Sequence, residues 1–87
     1  IGDRGVEHLA LALPFNSVLT GLELSQNQIG EAGAQHLATA LQSNSTLDEL
    51  MLNKNQIGDA GAQYLATVLP RNSLIHLELD NNRIGEV

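Results

Sequence analysis

The sequence predicts an α/β solenoid: an arc of about three stacked repeats, with a parallel sheet on one side and helices on the other. Three observations predict it. First, Leu19, Leu22, Leu24, Asn27, Ile29 and Gly30 recur 28 residues later as Leu47, Leu50, Leu52, Asn55, Ile57 and Gly58. They recur again, 27 residues on, as Leu74, Leu77, Leu79, Asn82, Ile84 and Gly85. A fixed period in this range is the signature of a repeat architecture. Second, each copy changes from a strand-like to a helix-like apolar period. Third, the apolar residues are Leu, Ala and Ile, with one Phe, one Tyr and no Trp. Stacked aliphatics suit the narrow interior of a solenoid. The 87 residues make one domain, 1–87. Its repeats span approximately 1–18 (partial), 19–46, 47–73 and 74–87 (partial).

The strand halves carry Leu22 and Leu24, Leu50 and Leu52, Leu77 and Leu79. Alternation at period two turns one face inward and the other outward. Strands are expected near 20–25, 48–53 and 75–80, parallel because successive copies run in the same direction. The helix halves carry Ala34, Leu37, Ala38 and Leu41, then Ala62, Leu65, Ala66 and Leu69, with Val6, Leu9, Ala10 and Leu13 as the first copy. The spacing i, i+3, i+4, i+7 is one stripe of a helix. Helices are expected near 3–13, 31–42 and 59–69.

Asp3, Glu31 and Asp59 fall at helix starts, where a carboxylate suits the positive end of the dipole. Gly2, Gly30 and Gly58 precede them and permit a turn that a side chain would hinder. Gly5, Gly33 and Gly61 lie in the first helical turns, where close packing between repeats is the expected reason for glycine. Asn16, Asn44 and Asn72 follow the helices, where asparagine can form a left-handed C-cap. Asn27, Asn55 and Asn82 come just after the strands among buried leucines. A buried amide needs partners, so these three are expected to form a structural ladder, bonding turn backbone in their own and the next copy. Leu47 to Leu74 is one residue shorter than the other intervals. The loop before the third strand has lost the counterpart of Thr46, which loops tolerate.

The net charge of −6 argues against nucleic acid, whose phosphates demand a basic face, and against anionic membrane surfaces. No apolar run approaches the roughly 20 residues of a membrane span, and no charged-then-apolar leader opens the chain. The sequence has no cysteine, which favours a reducing compartment, so a cytoplasmic location is expected. Asn44-Ser45-Thr46 matches a glycosylation pattern; the equivalent positions Val18 and Leu74 break it, and it is read as chance. The chain opens with Ile1 and cuts across a repeat at both ends, which reads as a piece of something longer.

The wording L-x-x-L-x-L-x-x-N-x-I-G-D-A-G-A-x-x-L-A-x-x-L over Leu47–Leu69 resembles leucine-rich repeats of the ribonuclease-inhibitor class. The IG-x-x-GA-x-x-LA portion is most similar to repeats of NOD-like receptor proteins. The resemblance covers essentially the whole chain. It implies a right-handed horseshoe arc whose concave parallel sheet recognises proteins. Asn27 and Asn55 stand where ribonuclease inhibitor often has Cys, which speaks against ribonuclease inhibition. The chain has no G-x-x-x-x-G-K-[ST] motif, and no cofactor is expected.

Concave positions are the strand residues between buried leucines. They form columns: Gly21, Glu49 and His76; Glu23, Met51 and Glu78; Ser25, Asn53 and Asp80; Gln26, Lys54 and Asn81. Between the copies at 19–46 and 47–73 the helix wording Ala-Gly-Ala-Gln and Leu-Ala-Thr recurs, while the strand-face residues nearly all differ. A scaffold kept while a face varies fits a binding array. The candidate protein-binding residues are Glu23, Ser25, Glu49, Met51, Asn53, His76, Glu78 and Asp80. Met51 is expected to be an exposed apolar anchor, and the acidic group favours a basic protein partner.

His8, His36 and Tyr64 share one helix column. Helices stand roughly 10 Å apart, too far for ligands to converge on one metal, so no metal site is expected. His76 beside Glu49, Glu78 and Asp80 raises an acid–base reading, but no nucleophile, oxyanion hole or cleft accompanies it. The expected function is non-enzymatic protein–protein interaction through the concave face. The alternatives are end-to-end self-association through uncapped ends and regulation of a GTPase, as in the Ran GTPase-activating protein, whose repeats are of this class.

Overall fold

The computed structural model describes residues 1–68 and 76–84. The chain runs α1 (Gly2–Ala12), a short 3-10 turn (Leu13–Phe15), β1 (Gly21–Glu23), α2 (Glu31–Leu41), β2 (Glu49–Met51), α3 (Gly58–Val68) and β3 (His76–Glu78). The strands form one parallel sheet in the order β1-β2-β3. Each lies inside its expected segment but is shorter, with three residues. Backbone bonds between neighbouring copies continue beyond the strands, from Leu24 N–H to the Met51 carbonyl at 2.8 Å and from Gln26 N–H to the Asn53 carbonyl at 2.9 Å.

The leucine pattern sets the register. Leu22 pairs with Leu50, and Leu50 with Leu77. Gly21 pairs with Glu49, and Glu49 pairs with His76 despite the shorter interval. The missing loop residue is therefore absorbed before His76. The loop itself, with Leu69, Asn72 and Leu74, lies outside the described residues, as does Gly85.

Sheet and helices enclose a core of Val6, Ile29, Leu37, Leu41, Leu47, Leu50, Leu52, Ile57 and Leu65, with smaller Ala34 and Ala38 beside them. Burial follows position in the stack. Ala34 and Ala38 on the middle helix are buried; their counterparts Ala62 and Ala66 on α3 are half-buried and exposed. Leu9, expected in the stripe of α1, is 38% exposed, while Leu37 and Leu65 at the same position are buried.

Two turn expectations need correction. Gly2 and Gly58 have positive φ (70° and 71°), but Gly30 is extended at φ −107°. Its N–H donates to Asp3 Oδ1 at 2.7 Å, so the carboxylate of one helix start holds the start of the next. Asn16 and Asn44 are not left-handed C-caps: Asn16 is extended, and Asn44 is absent from the positive-φ residues. Asn16 Oδ1 instead accepts from Val18 and Leu19 N–H, at 2.9 and 2.8 Å, within its own loop, while the Asn44 side chain bridges to the preceding one. Asn44 Nδ2 donates to the Leu13 carbonyl at 2.8 Å and the Asn16 carbonyl at 3.2 Å, and its Oδ1 accepts from Leu47 N–H at 2.8 Å. With the residue buried and its amide nitrogen engaged, Asn44-Ser45-Thr46 presents no accessible acceptor for glycosylation.

Glycine in the first helical turn has a packing cause. A methyl at Gly61 would lie 2.5 Å from Ile57 Cγ2 and 3.1 Å from Ala34 Cβ on the preceding helix. At Gly33 it would lie 2.5 Å from Asp3 Oδ1. Helix propensity alone favours Ala over Gly by about 1 kcal/mol. Overpacking costs about 1–3 kcal/mol and acts against it. Gly61→Ala is therefore expected to lower stability in urea unfolding, by up to about 2 kcal/mol as the balance of the two. A stabilised variant would contradict the packing explanation.

Candidate functional site

The sheet register brings the concave candidates into adjoining columns. Gly21, Glu49 and His76 make one; Glu23, Met51 and Glu78 make the next. Neighbouring strands lie about 4.8 Å apart, so side chains within a column can touch. Glu23, Glu49, His76 and Asp80 are exposed; Ser25, Asn53 and Glu78 are half-buried. Met51 is half-buried too, not the exposed anchor expected. It lies in the column between Glu23 and Glu78, with its strand neighbours Leu50 and Leu52 fully buried.

These polar residues form a connected network. Glu23 Oε1 accepts from Ser25 N–H at 2.8 Å. Ser25 Oγ accepts from Asn53 N–H at 3.1 Å. Asn53 Nδ2 donates to Glu78 Oε1 at 2.7 Å, while Asn53 Oδ1 accepts from Asp80 N–H at 2.8 Å. Glu78 Oε2 meets His76 Nε2 at 2.8 Å, which is the ion pair among the described residues when the imidazole is protonated. Both Glu78 oxygens are thus engaged. The Glu49 carboxylate leans over the first column: a methyl at Gly21 would lie 3.4 Å from Glu49 Oε1.

The network shifts the acidities of its members. The Ser25 hydroxyl, and then its N–H, holds Glu23 below the usual carboxylate range, against the opposing charge of Glu78. His76, followed by Asn53, does the same for Glu78. Bonding to Glu78 raises His76, against partial desolvation. These groups face water, so the interactions are screened and individually weak. The Ser25 hydroxyl has its hydrogen bonds directed to Asn53 and Glu23. Among the described residues no three His, Cys, Asp or Glu side chains are grouped to hold a metal ion.

Behind the face lie the three asparagines after the strands. Asn55 Oδ1 accepts from Asn27 N–H at 2.8 Å and Ile29 N–H at 3.0 Å, both in the preceding copy. Its Nδ2 donates to the Leu24 and Leu52 carbonyls, each at 3.0 Å. Asn82 Nδ2 donates to the Leu52 carbonyl at 2.7 Å, and its Oδ1 accepts from Ile57 N–H at 3.4 Å. These bonds reach within their own copy, as expected, and back to the preceding copy rather than forward to the next. Asn27 is half-buried, and its Nδ2 donates within its own turn to the Ser25 carbonyl at 3.0 Å. Beside this row the Gln26, Lys54 and Asn81 column is exposed and has positive φ throughout, between 59° and 61°.

Residues 15–38 and 43–66 match the leucine-rich repeat family, together more than half of the chain. The chain belongs to the leucine-rich repeat family. No curated protein sequence matches it significantly. A solved structure of leiomodin-1 actin-binding site 2 is similar, with a TM-score of 0.90 and 27% sequence identity. The likeness covers 95% of this chain and 49% of that one, so this repeat segment spans about half the length of the solved structure. No helix among the described residues is long and apolar enough to cross a membrane.

The His76–Glu78 pair has a defined pH window. The contribution of His76 is complete below its ordinary value of 6.5 and is lost as pH rises through its higher folded value. That of Glu78 is complete above its ordinary 4.5 and is lost as pH falls through its lower folded value. The pair therefore contributes fully between pH 4.5 and 6.5. NMR titration of the His76 imidazole is expected to give a midpoint above 6.5 that falls in Glu78→Gln. A parent midpoint at or below 6.5 would contradict the pairing.

Proposed function

We propose that this leucine-rich repeat domain is a non-catalytic protein-interaction module that binds through its concave sheet. The observation that carries the reading is the hydrogen-bonded network from Glu23 to His76. It fixes side chains that differ from copy to copy on a rigid sheet. Preorganised side chains lose less freedom on binding, so more of their contact energy appears as affinity. Glu49, Asp80 and the second oxygen of Glu23 carry the negative charge of the face, which favours a basic patch on the partner. Met51 adds a half-buried apolar surface beside them.

Actin is the first partner to test, because the similar solved structure is an actin-binding site. The repeat wording supports placing the chain in the ribonuclease-inhibitor-like class, as part of a longer cytoplasmic protein of the NOD-like receptor kind. A second reading, end-to-end association, has one observation in its favour. Ile1 and Leu19 are exposed where Ile29, Ile57 and Leu47 are buried. Another repeat, or another copy, stacked on that side would cover them.

Binding to actin by cosedimentation and by titration of monomer tests both partner and face. The Glu23→Ala, Met51→Ala, Glu78→Ala triple variant is expected to bind at least tenfold more weakly, since central contacts dominate interfaces, with its thermal midpoint nearly unchanged. Full affinity in the variant would remove the concave assignment. No binding by the parent chain would remove actin. A mass that rises with concentration in light scattering would favour end-to-end association.

A further inference from the structure

The convex face carries an apolar groove that the repeat pattern does not explain. Where α1 has Leu11, the other copies have Thr39 and Thr67; where the 3-10 turn has Phe15, they have Ser43 and Arg71. Thr39, Ser43 and Thr67 are exposed, so these are solvent positions filled there with polar residues. In the first copy they are apolar and bare: Leu11 is 67% exposed and Phe15 89%. Four residues apart, they lie about one helical turn from each other. Scattered exposed apolar residues need no explanation, but these two share one cavity.

That groove, about 290 Å³, lies between the end of α1 and α2. Its apolar lining is Ala10, Leu11, Pro14, Phe15 and Ala40, and its ionisable groups are Glu7 and His36. Small-molecule sites span about 300–1,000 Å³ and enclose most of their ligand. This groove is at the bottom of that range and open, a size suited to one or two apolar side chains. Two packed helices present ridges against which a third can lie. The charge of the site selects among helices. No Lys or Arg lines the groove, and Glu7 has no ion-pair partner among the described residues.

We infer that the groove docks an amphipathic helix of a protein partner, seating an apolar side chain against Leu11 and Phe15 and a Lys or Arg against Glu7. The mode is helix-in-groove recognition, read by apolar anchors at i and i+3 or i+4. The site lies on the face opposite the concave sheet and stands independently of the concave reading. A carboxylate beside apolar surface discriminates by charge, while the aromatic anchor supplies the contact area.

The test uses the residues that the other copies themselves carry. Leu11→Thr with Phe15→Ser changes two exposed side chains to those at equivalent helix positions, so the variant is expected to keep the parent thermal midpoint. A displayed library of helical peptides is selected against the parent chain and counter-screened on the variant. Enriched peptides are expected to pair apolar residues at i and i+4 with a neighbouring Lys or Arg, and to bind the variant at least tenfold more weakly. Glu7→Gln is expected to weaken them several-fold and to flatten their salt dependence. Several outcomes would overturn the proposal. One is no enrichment over the variant; another is a preference for acidic peptides. A two-chain mass in sedimentation that Phe15→Ser returns to one would assign the groove to a second copy. Phosphatidylcholine vesicle binding lost in the variant would assign it to a lipid surface.

Discussion

The Asn55 side chain joins one repeat to the next, and the sheet depends on that join. Its oxygen accepts two backbone N–H groups of the preceding copy, and its nitrogen donates to one carbonyl of that copy and one of its own. A carboxamide offers donors and acceptors together, and this site uses both in a buried setting. Aspartate would place an acceptor where two carbonyls need a donor. Leaving one buried group unsatisfied costs about 1–3 kcal/mol, so the position is exacting. With the copies held in this way, Glu23 stands beside Met51 and Met51 beside Glu78. The columns of the sheet face thus rest on the leucine register together with an amide placed behind them.

The two faces of the arc reflect different demands. On the concave side the backbone is tied across copies, so side chains can change while their positions stay fixed. On the convex side the helices touch through small residues, Gly61 against Ala34 and Gly33 against Asp3. That tight contact leaves the outer helical positions free to carry whatever solvent tolerates. Two of them carry Leu11 and Phe15, the latter 89% exposed. The recognition surfaces proposed on the two faces arise from opposite freedoms, a varied strand face and a deviant helix face.

Most of the architecture was legible in the sequence, because repeated apolar spacing reports directly on packing. Leu22, Leu50 and Leu77 specify the register even where one interval is shorter. What the sequence left hidden depended on contacts between copies. The recurrence of Asn16 and Asn44 was visible, but Asn16 holds the amides of Val18 and Leu19 in its own loop while Asn44 reaches carbonyls 28 to 31 residues away. Gly30 shares its wording with Gly2 and Gly58, yet Asp3 of the preceding helix draws its N–H into a different turn. Met51 alternates as an outward residue should, but it is half-buried. Among the acidic residues, composition could not separate Glu78, whose two oxygens are both occupied, from Glu49. Leu11 and Phe15 were detectable as apolar residues in polar columns, a signal confined to the first copy.

The central claim is that the Asn55 amide couples successive repeats. Asn27 and Ile29 lie outside helix and strand, and turn amides of that kind exchange quickly with solvent unless something holds them. Amide hydrogen exchange read by NMR, in the parent chain and in Asn55→Ala, which removes the accepting oxygen, measures the coupling directly. The account predicts that both amides are protected in the parent and that both lose protection together in the variant. Fast exchange at Asn27 and Ile29 in the parent chain would contradict it.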